Sequence, residues 1–189
     1  KVAHLKVPGD CRDPKLLPID DSRMACLFPS WIDRATHKLQ HYITFSRNGF
    51  DWDKPQPILE PERWLWRVRP HDGRYYGLVQ DLTAGWADGN KPHELDLVVS
   101  DDLLTWETLA RVGPGLGLNE SDIHFQPDGE AWIVSRSIQK TGEVGSYFAT
   151  SQPPYTNWTV TPMHSVVHAP IFLEHAGSLY VAGRCYAPR

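Results

Sequence analysis

The stretch Tyr42–Trp52, YITFSRNGFDW, decides how the chain is read. An apolar, strand-like run ends on Ser46, a polar turn follows, and an indole closes the segment at Trp52. The same grammar returns in Asp96–Trp106, DLVVSDDLLTW, and in Tyr147–Trp158, YFATSQPPYTNW, so Ser46, Ser100 and Ser151 each precede a tryptophan by six or seven residues. The pattern has a local cause: a short polar side chain bonds the turn's backbone N–H groups while the tryptophan supplies packing area between sheets.

Between these elements lies a second repeat. Pro14–Phe28, Trp66–Gln80, Ser121–Arg136 and Ala169–Arg184 each read as apolar run, tight turn, apolar run. The turn pairs Asp21-Ser22, Asp72-Gly73, Asp128-Gly129 and Ala176-Gly177 suit two-residue or slightly longer hairpins, because Asp and Gly tolerate positive φ. Both elements recur about every fifty residues, with no helical stripe of useful length, which predicts four-stranded blades. The expected fold is all-β, a β-propeller with about four blades visible of a five- or six-bladed ring, and residues 1–189 form one domain that is a piece of a longer ring.

Composition narrows the function classes. Hydrophobic residues make up 41%, with 8 Trp, 7 Tyr and 6 Phe, too apolar for a disordered chain. No apolar run approaches the ~20 residues of a membrane-spanning helix, so no membrane partner is expected. The net charge of −4 comes without a basic block, so nucleic acid is not an expected partner either. Cys11, Cys26 and Cys185 show no CxxC spacing and the nine His no HExxH motif, so neither metal nor cofactor is expected. Compartment and oligomeric state are not legible.

The candidate site follows from the hairpins. Seven residues after the second turn residue of each stand Pro29, Gln80, Arg136 and Arg184, four equivalent positions. An antiparallel hairpin returns its chain to the rim it left, so these share a rim with residues that open the first strands: Arg12 and Asp13, Arg67, Asn119 and Glu120, and His168. Arginines from several blades can converge on one anion, each clasping a carboxylate through two parallel hydrogen bonds. His71 and His124 lie inside hairpin strands and read as framework; Trp64 and Trp66 can stack on a sugar ring but read first as packing.

The serine-turn-tryptophan elements resemble the Asp-box of sialidases. Ser46, Gly49 and Trp52 match with Asn48 in place of Asp, Ser100, Asp102 and Trp106 match without the Gly, and the third copy is one residue longer. More broadly, CRDPKL (Cys11–Leu16), Trp64–Val79, NESDIHFQPDGEAWIVSR (Asn119–Arg136), Ser151–Trp158 and Ala169–Tyr186 resemble the sialidase-like family labelled exo-alpha-sialidase or glycosyl hydrolase. The resemblance implies Glu120 as the carboxylate that polarises a tyrosine nucleophile and Arg136 as one arginine of a carboxylate-binding trio. It further implies Asp13 as acid/base, with Arg12, Arg67 and Arg184 competing for the other carboxylate contacts; no tyrosine is assigned. The expected activity is an exo-sialidase-type glycoside hydrolase acting on a terminal acidic sugar. Two alternatives stand: an exo-glycosidase for neutral sugars such as arabinose, using carboxylates from Asp13, Glu120 and Asp122, and a non-catalytic carbohydrate-binding propeller.

Overall fold

A computed structural model describes residues 4–83, 92–138 and 144–185; Tyr186, the last residue of one quoted motif, lies outside them. Every strand pairing is antiparallel, and the strands fall into four sheets. The first contains β1 (Asp10–Cys11), β2 (Lys15–Asp20), β3 (Arg23–Asp33), β4 (Lys38–Ser46) and β5 (Gln56–Ile58). The second is β6 (Arg63–His71), β7 (Arg74–Asp81), β8 (Glu94–Ser100) and β9 (Glu107–Val112), in sequence order. The third is β10 (Leu118–Phe125), β11 (Ala131–Ile138), β12 (Val144–Ser151) and β13 (Thr159–Pro162), and the fourth is the hairpin β14 (His168–His175) and β15 (Ser178–Arg184).

The four predicted hairpins are β2–β3, β6–β7, β10–β11 and β14–β15. Asp72-Gly73 and Ala176-Gly177 form two-residue turns with both residues at positive φ, +47° and +76° in the first and +49° and +76° in the second. This backbone matches the twist of the flanking strands. The turn at Asp21-Ser22 is held differently, with the Asp20 carboxylate accepting from the backbone N–H and hydroxyl of Ser22. Asp128-Gly129 lies in a longer loop between Phe125 and Ala131, closed by the Gln126 N–H on the Glu130 carbonyl.

The first two serine-turn-tryptophan elements share one geometry despite their degenerate sequences, and the third, where Ser151 Oγ donates to the Asn157 carbonyl, shares the indole contact. Ser46 Oγ accepts from the Gly49 N–H and Ser100 Oγ from the Leu103 N–H, at 2.9 Å each. Asn48 Oδ1 accepts the N–H groups of Phe50 and Asp51, as Asp102 Oδ1 does those of Leu104 and Thr105 in the next copy, so an amide oxygen replaces a carboxylate without altering the turn. The indole N–H of Trp52, Trp106 and Trp158 donates to Gly49, Leu103 and Tyr155 respectively. Those three acceptor residues all sit at left-handed φ, +75°, +68° and +65°. Leu103 and Tyr155 occupy a conformation that favours glycine, and both side chains are buried in the core.

Apolar faces meet between sheets. Leu17, Ala25, Leu27 and Ile43 of the first pack on Leu65, Val79 and Val98 of the second. Leu78, Leu95 and Leu97 of the second pack on Leu118, Ile123 and Ile133 of the third. The first strand β10 lies beside β6 and β14, and a groove of about 440 Å³ runs between Lys15–Pro18 of β2, Arg67–Pro70 of β6 and Ile171 of β14, so the first strands face a common axis.

All four of these inner strands are interrupted near the same rim. In the first sheet β1 and β2 both pair with β3, and Arg12, Asp13 and Pro14 form the gap between them. In β6 the register shifts between Leu65 and Arg67, in β10 between Leu118 and Ser121, and in β14 between His168 and Ile171. Such bulges re-aim side chains, and they concentrate at barrel rims and beside active sites.

Candidate active site

The equivalence predicted by counting from the turns holds in the ladder for the first three of the four positions. Met24, Tyr75 and Ala131 each oppose a turn serine, Ser46, Ser100 and Ser151, and five residues beyond them stand Pro29, Gln80 and Arg136. Each does a different task at the rim. The Pro29 carbonyl accepts the Arg12 N–H at 3.0 Å. Gln80 Oε1 accepts the indole N–H of Trp66, fixing that ring.

Arg136 turns to Glu120, with Nη1 3.1 Å from Oε1, while its Nε donates to Asn119 Oδ1 at 2.8 Å. Arg184 reaches the same Oε1 at 3.5 Å, and the Ala169 N–H donates to Oε2 at 2.7 Å. Every one of these neighbours is a donor, so the surroundings of Glu120 suit an acceptor and not a proton donor. Burial and the Arg136 guanidinium lower His168 below the ordinary histidine range. In its neutral form Nδ1 can accept from Arg136 Nη1, 3.2 Å away.

A small cavity of about 130 Å³ lies where the interrupted strands meet, lined by Asp13, Lys15, Trp66, Arg67, Glu120 and Ala169 together with Pro14, Ser121 and Pro170. Three predicted site residues, Asp13, Arg67 and Glu120, thus share one cavity from three sheets. Asp13 and Ala169 both precede proline at left-handed φ, +41° and +47°, a backbone state that only a well-determined surrounding maintains.

Arg12 is not brought in: its side chain is half exposed and pairs with Asp10, which Arg34 shares. Arg136 and Arg184 stand behind Glu120 and do not line the cavity. Asp122, the third carboxylate of the neutral-sugar alternative, is fully buried and also absent from the cavity. It accepts from Arg69 through two contacts and from the N–H groups of Ile123 and Phe172.

Lys15 is the residue that sequence reading missed. Its Nζ crosses from the first sheet to donate to the Leu65 carbonyl at 3.2 Å and lies 5.3 Å from the centre of the Trp66 ring. Burial pushes it down to about 7, with Asp13 opposing the shift and Arg67 adding to it. The signal lay in the register: Lys15 opposes Leu27 and Arg67 opposes Leu78, each three residues beyond the partner of a turn serine. Lys15 and Arg67 are the same position in successive sheets.

No protein-family model matches the chain, and no curated protein matches it. Solved structures do share its architecture. Trypanosoma rangeli sialidase in complex with sialic acid superposes with a TM-score of 0.63 at 15% identity, over 95% of this chain and 35% of the sialidase. The fold is a β-propeller. An exo-1,5-alpha-L-arabinanase from a bovine ruminal metagenomic library matches with a TM-score of 0.63 at 13% identity, over 94% of this chain and 66% of that one. The GH43_1 enzyme from Xanthomonas citri complexed with xylotriose gives 0.60 at 11%, over 90% and 65%. The propeller described here spans about a third of the sialidase's length and about two thirds of the other two. Its four sheets are three full blades and a two-stranded fourth.

Proposed function

We propose that this propeller carries the catalytic site of a glycoside hydrolase of exo-sialidase type, which releases a terminal acidic sugar from a glycan. The observation that carries the reading is the meeting of Asp13 and Glu120, carboxylates from different blades, on the walls of one cavity beside Arg67. Solved propellers of similar architecture that act on or hold sugars support it.

In this reading Glu120 takes the proton of the attacking O–H group as its oxygen bonds to the anomeric carbon. Asp13, on the opposite strand gap, gives a proton to the leaving glycosidic oxygen as the bond from the anomeric carbon breaks. The electron pair of that bond stays with the leaving oxygen, and the transition state has oxocarbenium character. Arg136 and Arg184 hold Glu120 in place.

Turnover of a fluorogenic sialoside by the full-length protein tests this. Glu120→Gln and Arg136→Ala should each lower kcat by about 10² or more; turnover untouched by both changes would sink the proposal. The neutral-sugar reading draws support from one observation, that Arg136 and Arg184 are engaged by a carboxylate of the chain itself. Hydrolysis of a nitrophenyl arabinoside in preference to the sialoside would select it, and glycan binding without any turnover would select a carbohydrate-binding module.

A further inference from the structure

Two cations, Lys15 and Arg67, meet at the cavity that Asp13 and Glu120 also line. The Arg67 guanidinium makes no ion pair or hydrogen bond among the described residues, although the residue is half-buried and lines both the cavity and the axial groove. Lys15, beside it in the same register, uses one of its three N–H donors on the Leu65 carbonyl and faces the cavity with the other two. The corresponding position in the third blade is Asp122, already saturated by Arg69, and in the fourth it is Ile171. The cations that line the cavity therefore come from the first two blades. Glu120, from the third, is held by its own pair of arginines.

From this placement we infer that Lys15 is a specificity-determining residue: with Arg67 it holds the anionic substituent of the bound sugar, and capture depends on the ammonium being protonated. The inference rests on the glycosidase reading for the identity of the ligand as a sugar and deepens it by naming the contact. The sequence expectation gave that task to Arg12, Arg67, Arg136 and Arg184; of these only Arg67 lines the cavity, and Lys15 is the addition.

The titratable groups around Lys15 set the direction of the pH effect. Burial opposes its charge most and Arg67 adds to that, whereas Asp13 and Cys26 favour it. His41 is fully buried and held well below the ordinary histidine range by desolvation and by Lys15 itself. Its Nδ1 accepts the Leu65 N–H at 3.3 Å while Lys15 donates to the Leu65 carbonyl, so both blade-1 side chains grip one residue at the β6 bulge. Glu120 faces Lys15 across the cavity. With the group pushed down to about 7, the ammonium is present in mildly acidic solution and lost on the alkaline side. An incoming anion opposes that loss, because an opposite charge within reach favours the charged form.

Calorimetric binding of sialic acid and of glucuronic acid to the full-length protein, from pH 5.5 to 8.5, tests the inference, with the uncharged methyl esters as controls. At least one acid should bind at pH 5.5, lose about tenfold or more in affinity as pH rises through 7, and outcompete its ester. Lys15→Arg should retain the affinity and flatten the pH profile, since a guanidinium keeps its charge; Lys15→Met should bind weakly throughout. Equal affinity of Lys15→Met and wild type, a pH profile that survives in Lys15→Met, equal binding of acid and ester, or no binding of either acid each overturns it. Because the readout is binding, the two proposals fail separately: acid capture through Lys15 without any turnover sinks the hydrolase reading and leaves this one standing.

Discussion

Lys15 exposes what a single side chain can contribute that its letter in the sequence does not announce. A lysine whose folded value is near 7, against 10.5 in the unfolded chain, opposes folding most strongly below pH 7, where both states carry the charge but only one has desolvated it. Between 7 and 10.5 the unfolded chain binds the extra proton, so this group's contribution to stability rises with pH. Lys15→Met should therefore be more stable than wild type at pH 6, by roughly 1–3 kcal/mol, with the difference shrinking as pH approaches 10. Urea unfolding midpoints at pH 6 and pH 9 check this; a difference that grows with pH contradicts it. Glu120 and Arg136 were legible in the sequence because a hairpin returns to its own rim, and their 3.1 Å contact follows from chain geometry alone. Lys15 was not, because burial depends on the neighbouring blade, which no local pattern encodes. Arg12 was misplaced for the complementary reason, since Asp10, two residues away, captures it locally.

At the scale of the element, the serine-turn-tryptophan unit shows which letters matter. Its serine and tryptophan were sufficient to find it, while the missing glycine of two copies proved no obstacle. Leu103 takes the left-handed conformation that Gly49 takes in the first copy, and its burial offsets the strain. The magnitudes decide the outcome of substitution. Relieving a left-handed residue returns about 1–2 kcal/mol, whereas emptying a buried leucine site costs about 2–5 kcal/mol. Leu103→Gly should thus destabilise the fold by about 1–3 kcal/mol, readable as a shifted denaturation midpoint. A stabilised variant would mean that backbone strain dominates. The hairpins were equally legible, apart from the loop Gln126–Glu130, whose Asp-Gly pair reads like a two-residue turn but lies within a longer connection. The bulges were not legible at all, because a bulge is a property of two strands in register, and sequence shows one strand at a time.

For the molecule as a whole, Asp122 ties three blades together at one buried carboxylate. Arg69 reaches it from the second blade, its own backbone belongs to the third, and the Phe172 N–H arrives from the fourth. Removing one partner of such a joint leaves a half-buried guanidinium and a buried N–H without their acceptor. Asp122→Ala should cost about 3–5 kcal/mol, and hydrogen exchange should show protection lost first along β14 and β15; unchanged exchange in that hairpin would show that the joint does not hold it. Repetition made the propeller recognisable from sequence, whereas the contacts between blades had to come from the folded chain. The interrupted inner strands carry a final consequence, one of inheritance. Each interruption spans one to three residues and is bounded on both sides by ordinary ladder, so a substitution there alters what the axis presents while the surrounding pairing is left intact. Such a propeller can change what its axis presents by rewriting a few short cassettes, with its architecture passed on unaltered.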